Sequence, residues 1–313
     1  ERSLQIKSKA LGPDHPQVAA SLTNLADIYD QTGDRERARK LFERAALIWE
    51  KALGPDNPLV GTALNNLAEQ LRRDGRLDEA RPLYERVIAN WEKAYGPEHE
   101  RVALALSNDA LLHAAAGELA EAKGENERAA GIREKALGAT HPDLAESLEQ
   151  LADVLVAMGD FDAALPSYER ASAILKQSLG AAHPSVARAE LGLSRVEAQR
   201  GSIDRAFLLS LDSEHISREH LRLTGRSFSE EQALRYAAER PNGFDLALSL
   251  AIERKGKVST RTLFDALIRS RAVVLDEMAA RNRSVAASAS PEVARLAASL
   301  ASVRSRLANM TVR

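Results

Sequence analysis

Apolar residues fall at helical spacing through the first two hundred positions, in paired stretches separated by glycine. The first stretch carries Val18, Leu22, Leu25, Ala26 and Tyr29; the next carries Ala38, Leu41, Phe42, Ala45, Ile48 and Trp49. Offsets of three and four residues place each set on one helix face, with polar residues on the other. The pattern then repeats. Gly12, Gly54, Gly96, Gly138 and Gly180 lie 42 residues apart, and so do Gly33, Gly75, Gly117, Gly159 and Gly201. Alanines at 38, 80, 122, 164 and 206 keep the same phase, at the tight turn where two helices meet. The unit is therefore a helical hairpin whose apolar face only its neighbours can cover, which predicts an all-α solenoid.

The linkers read as helix punctuation. They run Leu11-Gly-Pro-Asp-His-Pro16, Leu53-Gly-Pro-Asp-Asn-Pro58, Tyr95-Gly-Pro-Glu-His-Glu100, Leu137-Gly-Ala-Thr-His-Pro142 and Leu179-Gly-Ala-Ala-His-Pro184. Glycine suits the end of one helix, proline the first turn of the next, and the histidine or aspartate between them a cap. Gly33 is expected to make the turn inside the first hairpin and Asp34 to cap its second helix.

These residues resemble the tetratricopeptide repeat. The Leu-Ala pair of that repeat appears as Leu25-Ala26, Leu67-Ala68 and Leu151-Ala152. Its turn glycine, alanine and aromatic appear as Gly33, Ala38 and Phe42, as Gly75, Ala80 and Tyr84, and as Gly159, Ala164 and Tyr168. The 42-residue period and the linker resemble the longer kinesin-light-chain subtype. The resemblance implies a right-handed tetratricopeptide-repeat superhelix, an α-solenoid, over residues 1–222. It would hold about five hairpins plus a partial one, because residues 3–10 align with a second helix whose first helix is absent. The chain is thus expected to be a piece of a larger protein.

Composition narrows the function. The chain has 313 residues, 44% hydrophobic, 28% charged and 4% aromatic, as expected of an alanine- and leucine-rich helical protein. A formal net charge of −2 gives no overall basic field for direct nucleic-acid binding. Arg35, Arg37, Arg39 and Lys40 read as a solvated helix face. There is no cysteine, which excludes disulfides, thiolate metal sites and a cysteine nucleophile. No apolar run approaches the ~20 residues of a membrane span. A cytoplasmic location and no membrane partner are expected.

The third unit departs from the pattern. Asp109 stands where Leu25, Leu67 and Leu151 stand in the others, Glu125 and Asn126 replace Leu83 and Tyr84, and Arg133 replaces Trp49 and Trp91. Gly124 falls inside a helix, at a cost of about 1 kcal/mol relative to alanine. Asp109 is expected to be exposed or paired, since a buried lone carboxylate costs several kcal/mol. The unit reads either as a decayed repeat held by its neighbours or as a hinge or docking point.

After Gly201 the period fades. Residues 203–223 read as a longer last helix, and further helices are expected at 230–239, 244–255, 260–282 and 291–310, with Pro241-Asn-Gly243 and Lys255-Gly-Lys257 between them. Residues 223–313 form an expected helical linker region. It resembles the segment that joins tetratricopeptide arrays to CHAT domains, the caspase-like protease domains found with such arrays. The residues that carry the likeness are Leu223-Thr224, Phe228-Ser229-Glu230-Glu231-Gln232-Ala233-Leu234, Arg269-Ser270-Arg271-Ala272-Val273-Val274-Leu275-Asp276, Ala294-Arg295-Leu296-Ala297 and Leu300-Ala301-Ser302-Val303-Arg304. The likeness implies a CHAT protease domain downstream of Arg313 in the parent protein. The alanine and arginine content suggests a bacterial source.

No phosphate loop, dinucleotide fingerprint, nucleophile elbow or zinc-protease motif occurs, so no catalytic residue, metal ligand or cofactor is assigned and no enzyme is expected. Of the seven histidines, His15, His99, His141 and His183 belong to the linkers as capping or packing residues. His215 and His220 are not at metal-pair spacing, and His113 has no evident carboxylate partner. The resemblance implies that first helices line a concave groove. The positions one face offers there are Thr23, Asn65, Ser107 and Glu149; Asn24, Asn66, Asn108 and Gln150; and Asp27, Glu69, Leu111 and Asp153, continued by Asp30 and Arg72. Asparagine can donate to and accept from a peptide main chain without regard to its sequence. In kinesin-light-chain-like repeats such asparagines line the peptide groove, which implies that role for Asn24, Asn66 and Asn108. Asp27, Glu69, Glu149 and Asp153 favour a basic or mixed peptide, while Arg72 and Arg73 offer a local anion site.

The expected function is a non-catalytic protein-binding scaffold, more narrowly the sensing and regulatory arm of a CHAT-type protease. A cargo or assembly adaptor with no protease is the alternative. Self-association through an exposed terminal hairpin is a further expectation.

Overall fold

A computed structural model describes residues 2–224, 232, 240–253 and the single positions 262, 264, 265, 268, 295 and 299. Every element among the described residues is a helix: α1 Arg2–Leu11, α2 Pro16–Gln31, α3 Arg35–Leu53, α4 Pro58–Arg73, α5 Leu77–Tyr95, α6 Glu100–Ala116, α7 Leu119–Leu137, α8 Pro142–Ala157, α9 Phe161–Leu179, α10 Pro184–Gln199, α11 Ile203–Thr224 and α12 Gly243–Glu253. They fall into two compact units, residues 1–174 and 175–313.

The linkers act as the sequence predicts. His15, His99, His141 and His183 each accept through Nδ1 a hydrogen bond from the backbone N–H two residues on, at 3.1–3.2 Å, and Asn57 does the same through Oδ1 at 3.1 Å. Asp34 caps α3 by accepting from Arg37 N–H at 3.3 Å. Inside the first hairpin Gly33 holds φ +87°. This left-handed residue lets Asp34 N–H reach the carbonyl of Tyr29 at 2.8 Å and Gly33 N–H that of Asp30 at 3.0 Å, closing the turn on otherwise orphaned carbonyls.

In the first unit Val18, Leu22, Trp49, Val60, Trp91, Val102, Leu106 and Ile132 form one continuous core across α2–α7. Trp49 Nε1 donates to Pro16 O at 3.1 Å and Trp91 Nε1 to Pro58 O at 3.2 Å, so each ring ties its second helix to the first turn of its own hairpin. Arg133 holds the same position in the third hairpin but binds forward. Its Nη1 donates to Asp143 O at 3.1 Å and to Ser147 Oγ at 2.6 Å, both in α8. Burial pushes the Arg133 guanidinium below its usual range.

Successive first helices lie against one another, α4 on α6 and α6 on α8. Successive second helices meet instead through long ion pairs, Arg86–Glu50, Arg128–Glu92 and Arg170–Glu134, each spanning 36 residues. Close backbones on one side and extended side chains on the other put the first helices on the inner face of this unit.

In the second unit α10 and α11 are joined by buried serines: Ser194 Oγ donates to Ala206 O at 2.6 Å and Ser213 Oγ to Ala187 O at 2.7 Å. Helix α12 packs Ala247, Leu250 and Ala251 against Ala206 and Phe207. Its approach is so close that a Cβ on Gly243 would lie 1.9 Å from Ser210 O. Arg240 makes a buried two-pronged contact with Glu214 at 2.9 and 3.1 Å. The last repeat helix extends to Thr224, one residue beyond the expected 223. Of the later expectations, 244–255 is met by α12 as far as Glu253. The helices expected at 230–239, 260–282 and 291–310, and most of the CHAT-like motif, lie outside the described residues apart from isolated positions.

Candidate functional site

The inner face of the first unit carries the residues singled out from the sequence, but they are not equivalent. Asn24 is exposed on α2. Asn66, half-buried on α4, donates through Nδ2 to Asp27 Oδ1 at 3.3 Å, one hairpin back. Asn108 on α6 donates through Nδ2 to Asn65 Oδ1 at 3.0 Å, again one hairpin back. Asn65 itself is only 7% exposed and lies beneath the face rather than on it. Gln150 is half-buried on α8, and its Oε1 has no hydrogen-bond partner. Two rungs of the ladder thus spend donors on joining hairpins, Gln150 holds its unpaired oxygen buried, and Asn24 alone of the four presents an exposed amide.

The charged flank is also used internally. Glu69 accepts from Arg72 twice at 2.8 Å, from Arg73 at 2.7 Å and from the Tyr84 hydroxyl at 3.1 Å. Arg73 reaches on to Asp30 at 3.0 Å. Burial alone would raise the Glu69 carboxyl, but the Arg72 hydrogen bond and charge, with Arg73 and Tyr84, outweigh it and hold it below the usual range. Arg72 and Arg73 therefore do not form the anion site expected of them: their guanidinium groups already neutralise Glu69 and Asp30. Asp27 moves the other way, raised by burial and by the neighbouring Asp30 charge. Asp153 accepts from the Tyr168 hydroxyl in the fourth hairpin, as Glu69 does from Tyr84 in the second.

The third hairpin meets one expectation and overturns another. Of the two states expected for Asp109, exposed or paired, it takes the second: it is buried, 3% exposed, with His113 Nε2 3.9 Å from its Oδ2. His113 has carboxylates on both ring nitrogens: Nδ1 lies 2.5 Å from Glu118 Oε2, and Nε2 lies 3.9 Å from Asp109 Oδ2 and 3.8 Å from Glu125 Oε1. Arg81, from α5, grips both oxygens of Glu118 at 2.8 and 2.9 Å. Burial raises the Asp109 carboxyl against the pull of His113, and burial together with Asp109 pushes Glu125 up to about 8. The Glu118 carboxyl is held low by its hydrogen bonds from His113 and Arg81. This cluster escaped sequence reasoning because its members are scattered in number. The signal was the 42-residue alignment, which sets Asp109, His113 and Glu125 on Leu67, Leu71 and Leu83.

A tetratricopeptide repeat profile matches residues 1–46, 59–135, 110–177 and 143–213, well over half of the chain. The chain belongs to the tetratricopeptide-repeat family. Its fold is the all-α superhelix of that family. Among solved structures, the kinesin light chain nearly identical TPR-like repeats of Podosopora anserina align at 28% identity over 66% of this chain and 98% of that one, with a TM-score of 0.58. Two more distant structures share the fold. BtubC (BKLC) from P. vanneervenii has 20% identity over 69% of this chain and 85% of that one, with a TM-score of 0.60. A Signal Transduction ATPase with Numerous Domains protein with a tetratricopeptide repeat sensor, from Pyrococcus horikoshii, has 15% identity over 84% of this chain and 42% of that one, with a TM-score of 0.56. The curated proteins yield no match. Tetratricopeptide arrays are generally non-enzymatic scaffolds for protein–protein interaction, and no catalytic family is indicated. Among the described residues no helix is long and apolar enough to cross a membrane.

Proposed function

We propose that this tetratricopeptide array holds an extended peptide or protein segment along the inner face of its first helices. The observation that carries this reading is Asn24, whose exposed amide on that face makes no hydrogen bond to another described residue; Gln150, half-buried on α8, continues the same line, although its Oε1 is buried and unpaired. Asn66 and Asn108 would act as spacers that fix the pitch between hairpins, with Asp27 and Asp153 lending the face an acidic bias toward basic or mixed peptides. A photo-crosslinking residue at position 24 tests the idea against one at position 47, where Leu47 is exposed on a second helix. The proposal expects a ligand captured from 24 and not from 47, and lost with Asn24→Ala and Gln150→Ala at unchanged melting temperature. Capture from 47 alone, or retention by the double variant, overturns it.

On the finer level, the array would be the sensing arm of a cytoplasmic CHAT-type protease protein. Residues 1–222 would be the sensor and 223–313 the helical connection to the protease. The support is the sequence likeness of residues 223–304, and α12 packed on α11 offers a route by which that connection could feel the array. Deleting 224–313 from the parent protein should uncouple ligand binding from protease control; intact control refutes the arrangement. The kinesin light chain repeats at 28% identity favour the second reading, a cargo or assembly adaptor. The coding sequence downstream of Arg313 separates the two.

A further inference from the structure

The third hairpin replaces an apolar contact with metal-ligand chemistry in a concerted way. In the second hairpin Leu67 and Leu71 on α4 and Leu83 on α5 belong to one core cluster with Tyr84. In the third, Asp109 and His113 stand one turn apart on α6, and Glu125 faces them from α7. Polar residues also stand at the Tyr84 and Trp91 positions of this hairpin, as Asn126 and Arg133. Here the three residues that touch one another all became carboxylate or imidazole.

We propose that Asp109, His113 and Glu125 bind one borderline divalent transition ion, of the Zn²⁺ or Co²⁺ kind, which joins α6 to α7 where the other hairpins use leucine. One ligand atom from each residue already lies within 4.8 Å of the others. An ion bonded at about 2.0–2.2 Å to each needs ligand atoms roughly 3–3.6 Å apart, so the gaps of 3.8 and 3.9 Å close by a few tenths of an ångström. His113 is oriented for the task. Its Nδ1 lies 2.5 Å from Glu118 Oε2, and the tautomer protonated there turns the Nε2 lone pair toward the two carboxylates. A carboxylate behind a ligating histidine fixes its tautomer and raises its basicity.

The nearby guanidinium groups of Arg81 and Arg128 make their ion pairs with Glu118 and Glu92 rather than with these two carboxyls. Asp109 Oδ1 and Glu125 Oε2 are buried without a hydrogen-bond partner. One imidazole and two carboxylates suit a transition ion better than calcium or magnesium, which take more oxygens. Three protein ligands leave a coordination position for water.

The test uses the full chain. Co²⁺ is titrated and its visible d–d absorption followed, Zn²⁺ is added in competition, and melting is recorded with Zn²⁺ or with EDTA. The expected result is one Co²⁺ per chain, displaced by Zn²⁺, and a melting temperature raised by Zn²⁺. Asp109→Leu with His113→Leu and Glu125→Leu restores the second hairpin's own residues and should abolish both effects. The shape-preserving Glu125→Gln should do so too, independently of how the triple variant folds. Glu118→Gln should weaken affinity about 10–100-fold. Replacing the linker histidines by His15→Asn, His99→Asn, His141→Asn and His183→Asn should leave binding intact. Absence of the d–d band in the natural chain, or its survival in the triple-leucine variant or in Glu125→Gln, overturns the proposal.

Discussion

Asn108→Ala separates the structural share of the asparagine ladder from its recognition share. Asn108 Nδ2 donates to Asn65 Oδ1 at 3.0 Å, and Asn65 is 7% exposed. Truncation removes a neutral hydrogen bond worth about 1 kcal/mol net and leaves a buried carbonyl oxygen unpaired, at about 1–3 kcal/mol. Asn108 is half-buried, so the space it vacates admits water to that oxygen and the cost falls to the lower end, about 1–2 kcal/mol. For an array of this size that lowers the melting temperature on the order of 2–8 °C. Asn24→Ala, at an exposed position, should shift it by no more than ~0.5 kcal/mol. The decisive assay is a double-mutant cycle of Asn65→Ala and Asn108→Ala, followed by thermal unfolding and by amide exchange in α4 and α6. A coupling near 1 kcal/mol is expected. Coupling indistinguishable from zero would refute the claim that this pair joins the second and third hairpins, and would return Asn108 to the groove as a free amide.

Three other outcomes follow from the same geometry. Gly124→Ala should stabilise the chain by about 0.5–1 kcal/mol, because a Cβ there meets nothing within 4 Å, whereas Gly61→Ala should destabilise it by about 1 kcal/mol or more, because its Cβ would lie 2.5 Å from Trp91 Nε1; denaturant unfolding of both checks the opposite signs. The Glu69 carboxyl is depressed, so its charged form stabilises the fold above the ordinary carboxylate range, and that stability is lost as pH falls through the depressed value. The melting difference between the natural chain and Glu69→Gln should therefore be full at neutral pH and vanish in acid, and a difference independent of pH would contradict it. Gly243→Ala should detach α12, since the added carbon would overlap Ser210 O at 1.9 Å; fast amide exchange in 243–253 with α2–α8 unaffected is the expected reading, and undiminished protection counts against it.

Much of the fold was legible because its determinants are local. Helical periodicity, the two glycine series, the proline starts and the capping histidines all act within a few residues, and each hairpin formed where those signals put it. The tight alanines and Trp49 and Trp91 were legible as core for the same reason. The candidate site was legible as a face and misread in its details. Period alone made Asn24, Asn66 and Asn108 look alike, but Asn66 and Asn108 reach partners 39 and 43 residues away, and Asn24 shows no such bond. The same holds for Arg73 with Asp30, also 43 apart, which removed the expected anion site.

The sequence by itself determined the repeating unit, its boundaries and which face of each helix is buried, because backbone capping and apolar spacing are short-range. Only the tertiary structure decided which polar groups are already satisfied and which three positions of the third hairpin converge. Those outcomes depend on the offset and rotation of one helix against its neighbour. A difference of one ångström there separates a bonded amide from a free one, and three scattered residues from a site.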